Sequence, residues 1–181
     1  MKTTSTLLQI DLQNIFYAAR NKGKRIDFEK VWNYFNSREA EFLTSALVYM
    51  IRSPAFDSKG FENKLKTLGY GLKIRTAVKT GPKGKETYIR SDQDMPIVID
   101  CLNKINSFDK LILMSGDGDF SFLCEDLRNK NKQVEIWSFK ESFNPILQTC
   151  ADKIYFIEES FFFKPPRVKE FGINLKDLDN I

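Results

Sequence analysis

Hydrophobic and polar positions along the chain switch repeatedly between the short apolar runs of strands and the three-to-four spacing of helices. Leu7 to Asp11 is a short, largely apolar run that ends in an acid and reads as a strand. Asn14 follows, and Ile15, Phe16 and Ala19 then recur at helical spacing. After the polar, Gly-containing loop 21–25, Asp27 is placed to cap a helix whose apolar positions are Phe28, Val31, Trp32 and Phe35. Phe42 to Met50 is apolar, broken only by small hydroxyl residues, as a central parallel strand should be. A Pro-containing loop leads to the helical stripe Phe61, Leu65 and Leu68, closed by Gly69. Tyr70, Leu72, Ile74 and Thr76 then alternate as a half-buried strand.

Further on, Pro96 suits a first helical turn, which puts Asp94 at or near an N-cap. Met95, Val98, Ile99 and Leu102 are the expected apolar face of that helix. The run Leu111–Met114 is a buried strand, followed by the turn Ser115 to Phe120 (SGDGDF). Phe122, Leu123 and Leu127 continue as a helix to about residue 130. A strand over 133–139, a short helix around 145–151 and a last strand over 153–157 complete the pattern. Strands alternating with helices throughout predict an α/β fold with a mostly parallel, doubly covered sheet in a single domain, residues 1–163. A proline-led tail, 164–181, follows it.

Chemistry in such sheets lies outside the carboxyl ends of the strands, where the strand order reverses. Asp11 and Asp117 both end predicted strands, and Asp94 opens the helix leading into the second of them. If the two strands are neighbours, these acids converge. Asp119 shares the glycine-flanked turn with Asp117, and Gly116 and Gly118 are expected to let the backbone bend there. Asp100 lies six residues beyond Asp94, roughly 9 Å along a helix axis and about 240° around it. It is therefore expected to be a supporting acid and not a ligand of the same ion.

Composition narrows the chemistry. The 181 residues include no histidine, which excludes Ser-His-Asp and Cys-His triads and any His-dependent zinc site. Cys101, Cys124 and Cys150 are widely spaced and odd in number, as fits reduced, buried thiols in a cytosolic protein. No apolar run is long enough to cross a membrane, and no signal peptide is evident. Carboxylates are left as the donors, which points to oxygen-ligated Mg²⁺ or Mn²⁺. The net charge of +4 permits nucleic-acid binding without demanding it. Much of the excess sits in residues 79–90, where Lys79, Lys83, Lys85 and Arg90 face a single Glu86. That stretch reads as a mobile basic loop, either plain solvated surface or able to hold a phosphate backbone, and Tyr88 is either a packing residue or available to stack on a base.

Three motifs in order, Ile10-Asp11-Leu12-Gln13-Asn14, Asp94 through Asp100, and Ser115 through Phe120, resemble the NYN domain family of the PIN-like nuclease superfamily. Ala151-Asp152 is similar to the family's late Ala-Asp pair, and the resemblance covers roughly residues 5–160. It implies a PIN-like (Rossmann-like) sheet of about five or six strands, with the first strand central beside the SGDGD strand. It also implies metal-dependent ribonuclease chemistry with RNA as partner. Asp11, Asp94, Asp117 and Asp119 correspond to the catalytic, metal-binding acids, with Asn14 and Ser115 supporting. Leu12-Gln13 replace the middle of the family's usual Asp-Gly-Asp-Asn-like sequence, removing one acid. That substitution leaves a non-catalytic RNA- or protein-binding module as the alternative. A haloacid-dehalogenase-like enzyme would need a second acid at Gln13, and an EF-hand would need glycine at Phe122.

Overall fold

The computed structural model describes residues 3–52, 57–81, 87–89 and 93–164, with the backbone alone for 79 and 87–89. Six strands, β1 (Thr4–Asp11), β2 (Glu41–Arg52), β3 (Gly71–Thr76), β6 (Lys110–Met114), β7 (Gln133–Ser138) and β8 (Lys153–Phe156), form one sheet. Its order is β3-β2-β1-β6-β7-β8, and every pairing is parallel. The chain runs outward from β1 to β3 on one side and from β6 to β8 on the other. The order therefore reverses between β1 and β6, whose register pairs Ile10 with Met114. Asp11 and Ser115 follow these two partners directly, so the sheet itself brings the two motifs side by side.

Alternation along the strands builds two cores. Leu8 and Ile10 of β1 face the helices α1 (Leu12–Asn21), α2 (Phe28–Asn36) and α3 (Lys59–Leu68), through Ile15, Val31, Phe35 and Leu65. Leu7 faces the opposite layer, α4 (Asp94–Asn103) and α5 (Ser121–Asn129), through Ile97, Cys101, Leu123 and Leu127. Local signals end the helices as their chemistry requires. Asp27 accepts the Glu29 N–H at 3.1 Å to start α2. Gly69, at φ 106°, closes α3 in the left-handed region that favours glycine. The three cysteines are free and buried, and burial pushes the Cys101 thiol up to about 12. Among the described residues no helix is long and apolar enough to cross a membrane.

Two expectations need correcting. The ends of the basic stretch are not a loop: β4 (Val78–Thr80) and β5 (Thr87–Ile89) pair antiparallel, Val78 with Ile89 and Thr80 with Thr87. Lys83, Lys85, Arg90 and the tail beyond Lys164 lie outside the described residues, as do the side chains of Lys79 and Tyr88. The second concerns α4, whose buried positions are Ile97 and Cys101, while Met95, Ile99 and Leu102 are 63%, 50% and 39% exposed. The helix is apolar nearly all round, so spacing alone left its orientation open. Asp94, Ile97 and Cys101 stand at i, i+3 and i+7, one face. Packing that face inward is what turns Asp94 toward the sheet.

Buried polar contacts fix α4 in that orientation. Gln9 on β1 donates through Nε2 to the Ile97 carbonyl at 3.1 Å and to the Tyr49 oxygen at 2.7 Å. Gln93 donates to the Met50 carbonyl at 3.0 Å. Asp100, the expected supporting acid, accepts from the Tyr49 hydroxyl at 3.1 Å and pairs with Lys73 at 2.9 Å. It thus ties α4 to β2 and β3. Burial, with Asp100 beside it, holds the Tyr49 phenol protonated.

Candidate metal centre at the strand-order reversal

At the carboxyl end of β1, Asp11 also starts α1. One carboxylate oxygen accepts the Asn14 N–H at 3.2 Å, and the other accepts from the Ser115 hydroxyl at 3.1 Å. Asn14 in turn accepts the Gly116 N–H at 3.0 Å. Across the turn, Ser115 Oγ accepts the Asp117 N–H at 3.2 Å, and Asp117 accepts the Asp119 N–H at 3.0 Å. Every backbone donor from Gly116 to Asp119 that could misdirect the turn, apart from that of Gly118, is thereby held by a named side chain. Burial pushes the Asp11 carboxyl above its ordinary range. The Asn14 and Ser115 hydrogen bonds oppose that shift, and the Asp117 charge adds to it.

The turn delivers two acids and α4 a third. Carboxylate oxygens of Asp94, Asp117 and Asp119 lie within 4.8 Å of one another, the first two half-buried and Asp119 exposed. Asp11 is not in this group. Its carboxylate, 5% exposed, stands behind the turn, committed to Asn14 and Ser115. An oxygen-only donor set of three carboxylates suits a hard cation. Mg²⁺ prefers octahedral oxygen coordination and retains several waters, so three protein oxygens suffice.

The glycines of the turn serve closeness, not backbone freedom. Among the described residues, positive φ at glycine occurs at Gly23, Gly69 and Gly81, and neither Gly116 nor Gly118 is among them. A Cβ on Gly116 would instead overlap Ser138 Oγ and the Ser142 carbonyl, and one on Gly118 would overlap the Asn144 side chain. The segment after β7 is packed down on the turn, with the Asn144 N–H donating to the Gly116 carbonyl at 2.9 Å. Gly116→Ala should therefore cost about 1–3 kcal/mol by overpacking. Denaturant unfolding measures that cost, and a drop below about 0.5 kcal/mol would show that the segment yields freely.

Ser138, Ser142 and Asn144 were not found from sequence. Asn144 carries a local signal, an N-cap before Pro145 that accepts the Ile146 N–H at 3.1 Å, but its contact with the turn is long-range and leaves no local trace. Phe122, expected on the apolar stripe of α5, is 80% exposed, whereas Leu123 and Leu127 are buried. Asp152 sits away from the acids, accepting the Val134 N–H at 2.7 Å and pairing with Arg128 at 3.3 Å.

Comparison with known proteins adds three findings. The family model described as NYN domain matches residues 5–158. "Low amplitude and bright protein LabA" of Synechococcus elongatus is 31% identical over 166 residues, covering 90% of this chain and 89% of that protein. The crystal structure of a protein of unknown function from Vibrio parahaemolyticus is similar at a TM-score of 0.77 with 26% identity, covering 90% of this chain and 98% of that one.

Proposed function

The chain belongs to the NYN domain family, and from that premise we propose that it is a metal-dependent endoribonuclease that hydrolyses RNA phosphodiesters. One observation carries this: carboxylates from two separate elements, Asp94 of α4 and Asp117 and Asp119 of the turn after β6, converge within 4.8 Å at the reversal of strand order. Like charges so close repel, and a cation between them removes that cost.

Asp94, Asp117 and Asp119 would hold Mg²⁺ or Mn²⁺. Such an ion supplies Lewis-acid stabilisation of the phosphoryl oxygens and a more acidic water, which suits a chain without histidine. Asp11 adds negative charge behind Asp117 and, through Ser115, keeps the turn's acids aimed outward. Asn14 does the same through Gly116. Lys79, Lys83, Lys85 and Arg90 are the candidate holders of flanking phosphates, which they would grip without reading sequence. The predicted outcome is internal cleavage of single-stranded RNA in Mg²⁺ or Mn²⁺, abolished by excess chelator and restored by adding the ion back. Cleavage unaffected by chelator would sink the metal assignment.

A second reading, a non-catalytic RNA- or protein-binding module, is favoured by one specific feature. Asp11 is engaged by Asn14 and Ser115 outside the three-acid group, and Leu12-Gln13 supply no further acid. Calorimetry that finds RNA binding but no Mn²⁺ binding would select it.

A further inference from the structure

A cleft of about 300 Å³ opens between the edge strand β3 and α4. Its two walls differ in chemistry. Lys73 and Arg75 come from alternate positions of β3, and Pro96 and Ile99 come from α4, with the buried Gln93 at its base. The two cations are not equivalent. Lys73 is neutralised by Asp100 at 2.9 Å, whereas among the described residues no carboxylate pairs with the exposed Arg75. Ile99 belongs to the outward stripe of α4 with Met95 and Leu102 at i, i+4 and i+7, all exposed.

The cleft reaches the residue next to the acid cluster, although none of the three acids lines it. Gln93 immediately precedes Asp94, and Ile99 stands five residues along α4, about 7.5 Å down its axis. Sequence charge points the same way. Residues 71–92 carry six Lys and Arg against two acids, a net +4 equal to that of the whole chain. One wall that attracts an anion and one that prefers a flat apolar group match the repeat of a nucleic-acid strand whose bases are unpaired. A duplex would keep its bases stacked away from Ile99, and an acidic peptide would gain nothing from proximity to the three aspartates.

We infer that the β3–α4 cleft is a subsite for single-stranded RNA, in which Arg75 binds a backbone phosphate and Ile99 with Pro96 supports the adjoining base or ribose. This rests on the nuclease reading only for the identity of the strand. Binding in the cleft does not require the acids to hold a metal. The subsite would favour single-stranded over paired RNA and would set the side from which the strand enters the acid cluster.

The experiment is fluorescence anisotropy with a labelled oligouridine across a range of salt, without divalent ions, so that no strand is cut. Arg75→Ala should weaken binding about tenfold at low salt and reduce the salt slope by about one. Ile99→Ser should weaken binding about threefold to tenfold and leave the slope unchanged. Lys153→Ala, at the far edge of the sheet, should change neither. Arg75, Ile99 and Lys153 are all exposed, and equal melting temperatures would verify the fold of each variant. The inference is overturned if wild type does not bind the strand, or if Arg75→Ala and Ile99→Ser both bind as it does. It is also overturned if Ile99→Ser converts a dimer to a monomer without touching RNA affinity, which would give the face to a second copy of the chain. Absence of RNA cleavage by wild type in Mg²⁺ or Mn²⁺, with these binding effects intact, would count against the nuclease reading alone.

Discussion

Asp117→Asn is expected to abolish the stabilisation that Mn²⁺ gives the wild-type protein, while leaving the fold intact. Asparagine keeps an acceptor for the Asp119 N–H, so the turn's cap survives, and only the charge is lost. In the wild type, an ion present at about 100 times its dissociation constant should add about 2.7 kcal/mol. For a chain of this size that corresponds to a rise of about 5–10 °C in melting temperature. Without metal the variant should melt at or slightly above the wild type, by about 2–4 °C, because one of three crowded negative charges is gone. Differential scanning calorimetry with and without Mn²⁺ measures both effects. A variant that retains the full Mn²⁺ shift would remove Asp117 from the site. A variant that melts far below wild type without metal would make Asp117 a structural residue instead.

Glu135→Gln should destabilise the protein by about 3 kcal/mol, or about 6–12 °C, without altering Mn²⁺ binding. Glu135 is 1% exposed and lies mid-strand in β7 beside Ile112, and its partners Lys110 and Glu41 begin β6 and β2, away from the acids. Its two oxygens accept from Arg38 at 2.7 and 3.1 Å, Trp137 Nε1 donates to it at 2.7 Å, and Lys110 stands at 3.7 Å. Glu41 completes the network, pairing with Lys110 at 2.6 Å and with Arg38 at 3.2 Å. Removing one anion leaves two largely buried cations with only Glu41 between them. Burial pushes the Glu135 carboxyl up, but the hydrogen bonds from Arg38 and Trp137 and the charges of Arg38 and Lys110 outweigh it, so its pKa falls below the ordinary 4.5. A depressed folded-state pKa means that the contribution is complete above 4.5 and is lost as pH falls through the folded value. Wild-type stability should therefore drop on acidification in that range, and the Glu135→Gln variant should show a shallower drop. Identical acid profiles for the two proteins would contradict the role given to this network.

How much of this was legible in the sequence depended on whether the deciding contact was local. Helix caps at Asp27 and Gly69 use neighbours a few residues away, and both were readable. The parallel sheet was readable from continuous apolar runs, whereas the adjacency of β1 and β6 entered only as a condition and as what the family resemblance implied. The face of α4 was not readable, because a helix apolar on nearly every side gives no local preference. What decides it is Gln9 and Gln93 reaching across to Ile97 and Met50, and those contacts are distant in sequence. The need for Gly116 and Gly118 was visible, but its cause was not. Both make room for the segment containing Ser138, Ser142 and Asn144, more than twenty residues on. Asp11 matched its motif, yet spacing could not reveal that Asn14 and Ser115 would occupy both its oxygens.

The measurement closest to the central claim is the single-turnover rate of RNA cleavage against Mn²⁺ concentration, for wild type and for Asp94→Asn purified identically. Asp94 is the one member of the cluster supplied by α4, so its loss tests the convergence of two elements on one ion. The account predicts saturable, Mn²⁺-dependent internal cleavage by wild type and a rate at least about 100-fold lower for the variant, whose melting temperature without metal is unchanged. Equal rates in the two preparations, or no cleavage by wild type at saturating Mn²⁺, would contradict it.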